Sequence, residues 1–108
     1  MNVDNVKSQM RKGMLEYCIL LLLHKDWFYA SDIIRKLKES QLIVVEGTLY
    51  PLLTRLKNDD FLSYEWIESP QGPPRKYYKL TGTGEIFLRE LENLWKELNE
   101  TVNYLANK

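Results

Sequence analysis

Leucines recur at helical spacing in the middle of the chain. Leu49, Leu52, Leu53 and Leu56 stand at positions i, i+3, i+4 and i+7, which predicts a helix over residues 46–58 with one apolar stripe. The opposite face has few long charged side chains and several short hydrogen-bonding ones, which suits insertion into a groove. An ordinary amphipathic core helix is the alternative. The residues predicted to face outward or to flank the stripe are Gly47, Thr48, Tyr50, Pro51, Thr54, Arg55 and Asn58.

Two helices are predicted before this one. Residues 8–25 are apolar on most of a helical surface, so we expect this helix to be buried on more than one side, with a partner subunit covering the second. Residues 1–6 show no periodicity and are expected to form a mobile arm. Residues 29–40 are amphipathic, and residues 41–45 connect them to the leucine-striped helix. Two short helices joined so closely predict a helix-turn-helix, whose second helix enters the DNA major groove.

Two segments with alternating side chains follow. Residues 61–68 and 75–80 alternate with a period of two and are rich in aromatic residues, which predicts two strands. The turn-rich residues 69–74 lie between them, so the pair forms a hairpin, or wing. Leu62, Tyr64 and Trp66 are predicted to share one face of the first strand, and Lys76, Tyr78 and Leu80 one face of the second.

The second strand of the wing opens with a basic and aromatic cluster. Arg75 and Lys76 stand beside Tyr77 and Tyr78, a combination suited to phosphate contacts. The alternative is a solvated hairpin edge whose charges protect it from pairing with other strands.

A long helix is predicted from the cap residue Thr81 to about residue 107. Its apolar positions form a heptad-like seam, and a second apolar line runs beside it at intervals of seven residues. The small domain before it cannot bury both lines, so we expect this helix to pack against its copy in a second subunit. The seam consists of Phe87, Leu91, Leu94, Leu98 and Leu105, and the second line of Leu88, Trp95 and Val102.

The composition narrows the class of protein. The 108 residues suffice for one domain, and a net charge of zero excludes a uniformly basic protein but not one with segregated charge. Cys18 has no partner for a disulfide, which fits a reducing compartment. The longest apolar run, residues 17–23, is too short to span a membrane, and the polar start gives no signal peptide, so we expect a cytoplasmic protein.

Residues for catalysis are missing from the sequence. His24 is the single histidine, so no multi-histidine metal site is expected. No Ser-His-Asp arrangement and no glycine-rich phosphate loop is recognisable. We therefore expect a protein that is not an enzyme and uses neither a cofactor nor a metal.

The order of these elements, with two sequence motifs, resembles the PadR family of bacterial transcriptional regulators. The motifs are Glu46-Gly-Thr-Leu-Tyr-Pro-Leu-Leu-Thr-Arg-Leu56 and Gly72 followed by Arg75-Lys-Tyr-Tyr-Lys-Leu-Thr81, with Arg11-Lys-Gly13 before the first apolar helix. The length is similar to the short subfamily with one C-terminal helix. Two departures occur: Tyr29-Ala-Ser31 replaces the usual Tyr-Gly-Tyr, and Val45 occupies the usual cap position of Ser or Asp.

This resemblance implies a fold and a function. The fold is mostly α (α+β), a winged helix-turn-helix over residues 1–80 with a C-terminal dimerisation helix over residues 81–108. The function is that of a homodimeric repressor on a roughly palindromic DNA operator. The residues implied to contact DNA are Thr48, Tyr50 and Arg55 in the major groove and Arg75, Lys76 and Tyr77 on the wing.

Trp95 is similar in position to a tryptophan of short multidrug-sensing PadR members. Paired tryptophans there hold flat aromatic drugs at the dimer centre, and an indole face does offer stacking to planar ligands. The alternative is that Trp95 only fills the dimer seam. For the whole protein the rival hypothesis is a dimeric helical adaptor that binds protein or small molecules without an operator.

Overall fold

Four helices and a three-stranded antiparallel sheet form a winged helix. The computed structural model describes residues 2–108. The sheet order is β1-β3-β2. The elements are α1 (Val3–Lys25), β1 (Phe28–Tyr29), α2 (Ala30–Glu39), α3 (Glu46–Asn58), β2 (Leu62–Ser69), β3 (Gly72–Leu80) and α4 (Gly82–Ala106).

The core is apolar and draws on every helix. The predicted stripe of α3 is confirmed, because Leu49, Leu53 and Leu56 are at most 1% exposed and Leu52 is half-buried against them. Burial of such side chains stabilises the fold by about 1.5–3 kcal/mol each. Their partners in the core include Ile19 and Leu20 of α1, Ile33 and Leu37 of α2, Leu62 and Tyr78 of the sheet and Leu88 of α4.

Helix α1 begins earlier than predicted. The expected mobile arm over residues 1–6 is wrong from Val3 onward, while Met1 lies outside the described residues. Asn2 caps the helix, since its side-chain oxygen accepts hydrogen bonds from the backbone N–H groups of Asp4 at 3.0 Å and Asn5 at 3.4 Å. Asp4 also lies in the first turn, where a negative charge favours the helix dipole.

The sheet has one strand more than the predicted two-stranded wing. Phe28 pairs with Tyr78 and Tyr29 with Tyr77, so the segment before α2 forms the short strand β1. Two residues are too few for an alternation to be visible in sequence. The register of β2 and β3 places Tyr64 opposite Tyr78 and Trp66 opposite Lys76, so the two predicted strand faces lie on one side of the sheet.

The predicted tip over residues 69–74 is too long. Ser69 pairs with Gly72, so the turn is reduced to Pro70 and Gln71, and β3 starts before Pro73 and Pro74. Proline lacks the N–H that a ladder needs and is confined to strand edges. It is tolerated here because β1 pairs with β3 only at its far end, and because the register with β2 shifts at this point, where Pro73 and Pro74 lie opposite Glu68 alone.

Helix α4 starts at the predicted cap and packs back on the domain. The Thr81 hydroxyl oxygen accepts the N–H of Gly84 at 2.9 Å, and the Phe87 ring stacks on Phe61 with centroids 4.1 Å apart. The His24 ring nitrogen Nδ1 lies 2.9 Å from the Glu85 carboxylate, which ties the end of α1 to the first turn of α4. Beyond residue 92 the side chains of α4 are exposed.

Candidate nucleic-acid interface

The outer face of α3 is open to solvent. Thr48, Tyr50, Thr54 and Arg55 are exposed, and the Tyr50 side chain is 46% exposed although it is large and aromatic. The predicted orientation of this helix is therefore confirmed. No side-chain hydrogen bond caps its start at Val45.

A groove of about 320 Å³ separates α3 from the wing. Tyr50 and Thr54 form one wall, and Arg75 and Lys76 contribute to the other. These two cations have no carboxylate beside them among the residues that line the groove. The remaining lining residues are Tyr29, Ala30, Ser31, Trp66, Pro74 and Tyr78.

Arg75 is held in place on the wing. Its guanidinium carbon lies 3.9 Å from the centroid of the Tyr29 ring, and Nη2 donates a hydrogen bond of 2.5 Å to Oγ of Ser31. Ser31 belongs to the first turn of α2, where unpaired backbone N–H groups carry the positive end of the helix dipole. The guanidinium of Arg75, the hydroxyl of Ser31 and the N-terminus of α2 each favour the binding of a phosphate group.

Lys76 approaches the groove from the other face of β3. Its ammonium lies 4.6 Å from the ring centroid of Tyr64 and 5.4 Å from that of Trp66. Trp66 is its cross-strand neighbour in the register. Burial raises the pKa of the Tyr78 phenol at the bottom of the groove, and the nearby Tyr50 and Tyr64 raise it further. The Tyr78 phenol therefore stays neutral at physiological pH and does not offset the positive charges of Arg75 and Lys76.

Tyr77 has a different position from the other wing residues. Its ring packs between Trp27 and Tyr29, with centroid distances of 5.5 and 4.8 Å. It lies outside the lining of the groove and supports Tyr29 from the outer face of the sheet.

Arg55 lies on the opposite flank of α3. Its Nη2 forms an ion pair with Oε1 of Glu16 on α1. The pair borders a second groove, which Thr48 and Pro51 line from α3 and Lys12 from α1. The structure thus brings Tyr50, Arg75 and Lys76 together on one side of α3 and Thr48 with Arg55 on the other.

Several residues at this interface were not singled out from the sequence. Trp66 was detectable, because strand alternation places it on the face of Lys76. Ser31 and Glu16 had no such signal, since they are 44 and 39 positions away from Arg75 and Arg55 and only the tertiary fold makes them neighbours.

Trp95 and the seam of α4 are only partly covered. Phe87 and Leu91 pack against the core of their own chain. Trp95 is 44% exposed, and the remaining seam residues Leu94, Leu98 and Leu105 are 52%, 60% and 66% exposed. The outer part of the seam is thus open in the single chain.

Residues 2–108 contain no candidate metal-binding cluster and no candidate membrane-spanning helix. No group of three or more His, Cys, Asp or Glu side chains is arranged to hold a metal ion. None of the helices described is both long and apolar enough to cross a bilayer.

The sequence profile described as "Transcriptional regulator PadR-like family" matches residues 19–90, from α1 through the wing into α4. The chain belongs to the PadR-like family of transcriptional regulators. The expected family and fold are confirmed, and membership implies gene regulation through DNA binding.

Solved PadR structures resemble the chain over nearly its whole length. A PadR-like transcription factor from Bacteroides fragilis is 83% identical, with a TM-score of 0.81 over 94% of this chain and 98% of that chain. A PadR-like regulator from Bacillus cereus is 36% identical, with a TM-score of 0.80 over 93% of this chain and 98% of that chain. A PadR family regulator from Eggerthella lenta is 31% identical, with a TM-score of 0.85 over 96% of this chain and 91% of that chain. The similarity to these three structures thus extends over both the winged domain and the long terminal helix of this chain.

Proposed function

We propose that this PadR protein is a repressor that binds a roughly palindromic operator as a homodimer. The observation that carries the proposal is the groove beside α3, which Arg75 and Lys76 line with no carboxylate among its other lining residues. A site of this kind attracts a polyanion even though the whole chain has a net charge of zero.

In this proposal α3 enters the major groove, which accommodates one α-helix. Thr48, Tyr50 and Arg55 are exposed on it and carry the hydrogen-bonding groups that read base edges. Thr54 joins them, since it also faces outward. Neighbouring phosphates would then occupy the groove between α3 and the wing.

Arg75 and Lys76 hold the DNA backbone in this arrangement. The Arg75 guanidinium is already fixed by Tyr29 and Ser31, so little side-chain entropy is lost when a phosphate binds. Tyr77 contributes indirectly by packing on Tyr29, which modifies its expected role as a direct contact.

The second subunit is proposed to cover the exposed part of the α4 seam. Leu94, Leu98 and Leu105 form a stripe that water contacts in the single chain, and Val102 beside them is 61% exposed. Burying such a stripe is favourable at roughly 25 cal/mol per Å². Two-fold symmetry then requires half-sites about 34 Å apart, or a multiple of that.

An effector site at Trp95 is a further part of the proposal. Its indole is 44% exposed beside the seam, so two copies in a dimer would present ring faces to a planar aromatic ligand. Titration with planar dyes is expected to quench tryptophan fluorescence in the wild type and not in a Trp95→Leu variant, which retains Trp27 and Trp66. Equal quenching in both proteins would show that the dye binds at a site other than Trp95.

The decisive experiment is a fluorescence-anisotropy titration with duplex DNA from upstream of the protein's own gene, at two salt concentrations. We expect saturable binding that exceeds binding to competitor DNA and weakens with salt. If the protein does not bind the upstream fragment specifically, selection from a random duplex library would identify an operator elsewhere. Failure of the selection as well would favour the adaptor function.

A matched pair of variants tests the groove. Arg75→Ala with Lys76→Ala removes two cations per subunit and should lower affinity for all DNA and flatten the salt slope, by about 0.9 per lost phosphate contact. Arg89→Ala with Lys96→Ala removes the same charges from the exposed side of α4, away from the apolar seam. Equal losses from both pairs would indicate a general charge effect instead of a phosphate site.

A further inference from the structure

We propose that Glu16 is a positioning residue that makes Arg55 selective for base edges by weakening its attraction to phosphates. The proposal rests on the DNA-binding function above. It assigns a role in DNA selectivity to a carboxylate of α1, a helix outside the helix-turn-helix.

The geometry links α1 directly to the recognition helix. In the part of the chain that the structure describes, two ion pairs lie within α2, and His24 of α1 contacts Glu85 of α4. The remaining pair, Glu16 with Arg55, is the one that joins an acidic side chain to α3. The surrounding groove includes Lys12, so the local charge is positive but reduced by one carboxylate.

The pair leaves most of the guanidinium available. Nη2 of Arg55 forms the ion pair with Oε1 of Glu16, and the arginine side chain remains 61% exposed. Guanidinium has five N–H donors in a rigid plane, so the free donors keep a defined direction while one edge is held. Thr48 and Pro51 of α3 line the same groove as Arg55 and Glu16.

The two kinds of DNA contact respond differently to the carboxylate. Phosphate binding depends on net charge and on counterion release, and a partial neutralisation of Arg55 weakens it directly. Hydrogen bonds to the O6 and N7 atoms of a guanine depend on donor geometry, which the pair preserves or improves. Glu16 therefore penalises binding to arbitrary DNA more than binding to the operator.

The contrast with the wing groove supports this division. Arg75 is held by a neutral ring and a hydroxyl, and it keeps its full charge for the backbone. Arg55 is held by an anion. The same residue type is thus prepared for backbone contact on one side of α3 and for base contact on the other.

The test compares Glu16→Gln with the wild type on operator and on random duplex at several salt concentrations. We expect the variant to bind random DNA several-fold more tightly, with a salt slope steeper by up to about 2, since each freed Arg55 adds about 0.9 and a dimer carries two. Binding to the operator should improve less, so the ratio of the two affinities falls. Glu100→Gln, the same charge change opposite the apolar seam of α4, should leave both slope and ratio unchanged.

A second variant separates the proposed role from a structural one. In an Arg55→Gln background, Glu16→Gln should no longer change the slope or the ratio, because the residue that it controls is absent. An unchanged ratio in the single variant, or an equal effect in both backgrounds, overturns the inference. A wild type that shows no operator preference instead overturns the proposed function, and the two failures are therefore distinguishable.

Discussion

The guanidinium carbon of Arg75 lies over the ring of Tyr29, 3.9 Å from its centroid. Tyr29 belongs to β1, the short strand immediately before α2, whereas Arg75 belongs to the central strand of the sheet. The contact thus fixes a wing cation against the start of the helix-turn-helix. The position of a phosphate-binding group relative to α3 then depends on an aromatic residue that need not touch DNA itself.

Replacing Tyr29 by Leu should weaken DNA binding about twofold to fivefold per subunit, which corresponds to the ~0.5–1 kcal/mol of an exposed cation–π contact. Tyr29→Phe retains the ring face and should bind DNA like the wild type. The measurement is the dissociation constant for the operator by anisotropy. In an Arg75→Ala background Tyr29→Leu should have no further effect, and a full additional loss there would contradict a role through Arg75.

Gly84 should not tolerate a side chain. A Cβ at this position would lie 2.1 Å from the backbone oxygen of Phe61, which cannot move without disturbing the start of α4. We expect Gly84→Ala to lower the free energy of unfolding by about 1–3 kcal/mol, despite the higher helix propensity of alanine.

The matched control for this change is Gly82→Ala in the same turn. A Cβ there meets nothing within 4 Å, so the variant should be neutral or slightly more stable. Thermal unfolding at one fixed protein concentration compares the two variants. Similar melting temperatures for both would show that α4 does not pack as closely on Phe61 as described.

A charge in the α4 seam should disrupt the proposed dimer. Leu98 is 60% exposed in the single chain and central in the outer seam, so Leu98→Glu would place two carboxylates in one apolar interface. Sedimentation should show a shift from dimer to monomer and operator affinity should fall. Asn93→Glu, on the opposite side of α4, adds the same charge and should leave the dimer intact; a dimeric Leu98→Glu protein would argue against this seam.

Stability should decline at alkaline pH, partly through Tyr78. Burial raises the pKa of this phenol in the folded protein, so the folded state keeps a proton that the unfolded chain loses above its usual pKa of about 10. The free energy of unfolding is therefore unaffected by this group below that pH and falls as the pH rises further. Tyr78→Phe should flatten the decline in urea unfolding between pH 8 and 11, whereas Tyr104→Phe, an exposed position on α4, should not.

Much of this protein was readable from side-chain periodicity. The leucine stripe of α3 and the cap at Thr81 correctly predicted two helices, because each pattern is local and repeats over several turns. The alternation along β2 and β3 correctly predicted two strands, whereas the register between them placed Tyr64 and Tyr78 on one face. Strand alternation also correctly placed Arg75 and Lys76 on opposite faces of β3, although the two residues are adjacent in one basic cluster.

The remaining features depend on contacts between distant parts of the chain. Strand β1 exists because β3 offers hydrogen-bonding partners at Tyr77 and Tyr78, not because two residues carry a strand signal. The hairpin turn is short because a shift in the register between β2 and β3 accommodates Pro73 and Pro74.

Local patterns therefore determined which segments are helices and strands and which faces they bury, since backbone geometry repeats over a few residues. The tertiary structure decided what each exposed cation meets. Arg75 meets a ring and a hydroxyl, whereas Arg55 meets the carboxylate of Glu16. These contacts arise where separate elements pack together, and their electrostatic consequences depend on distances that spacing along the chain does not encode.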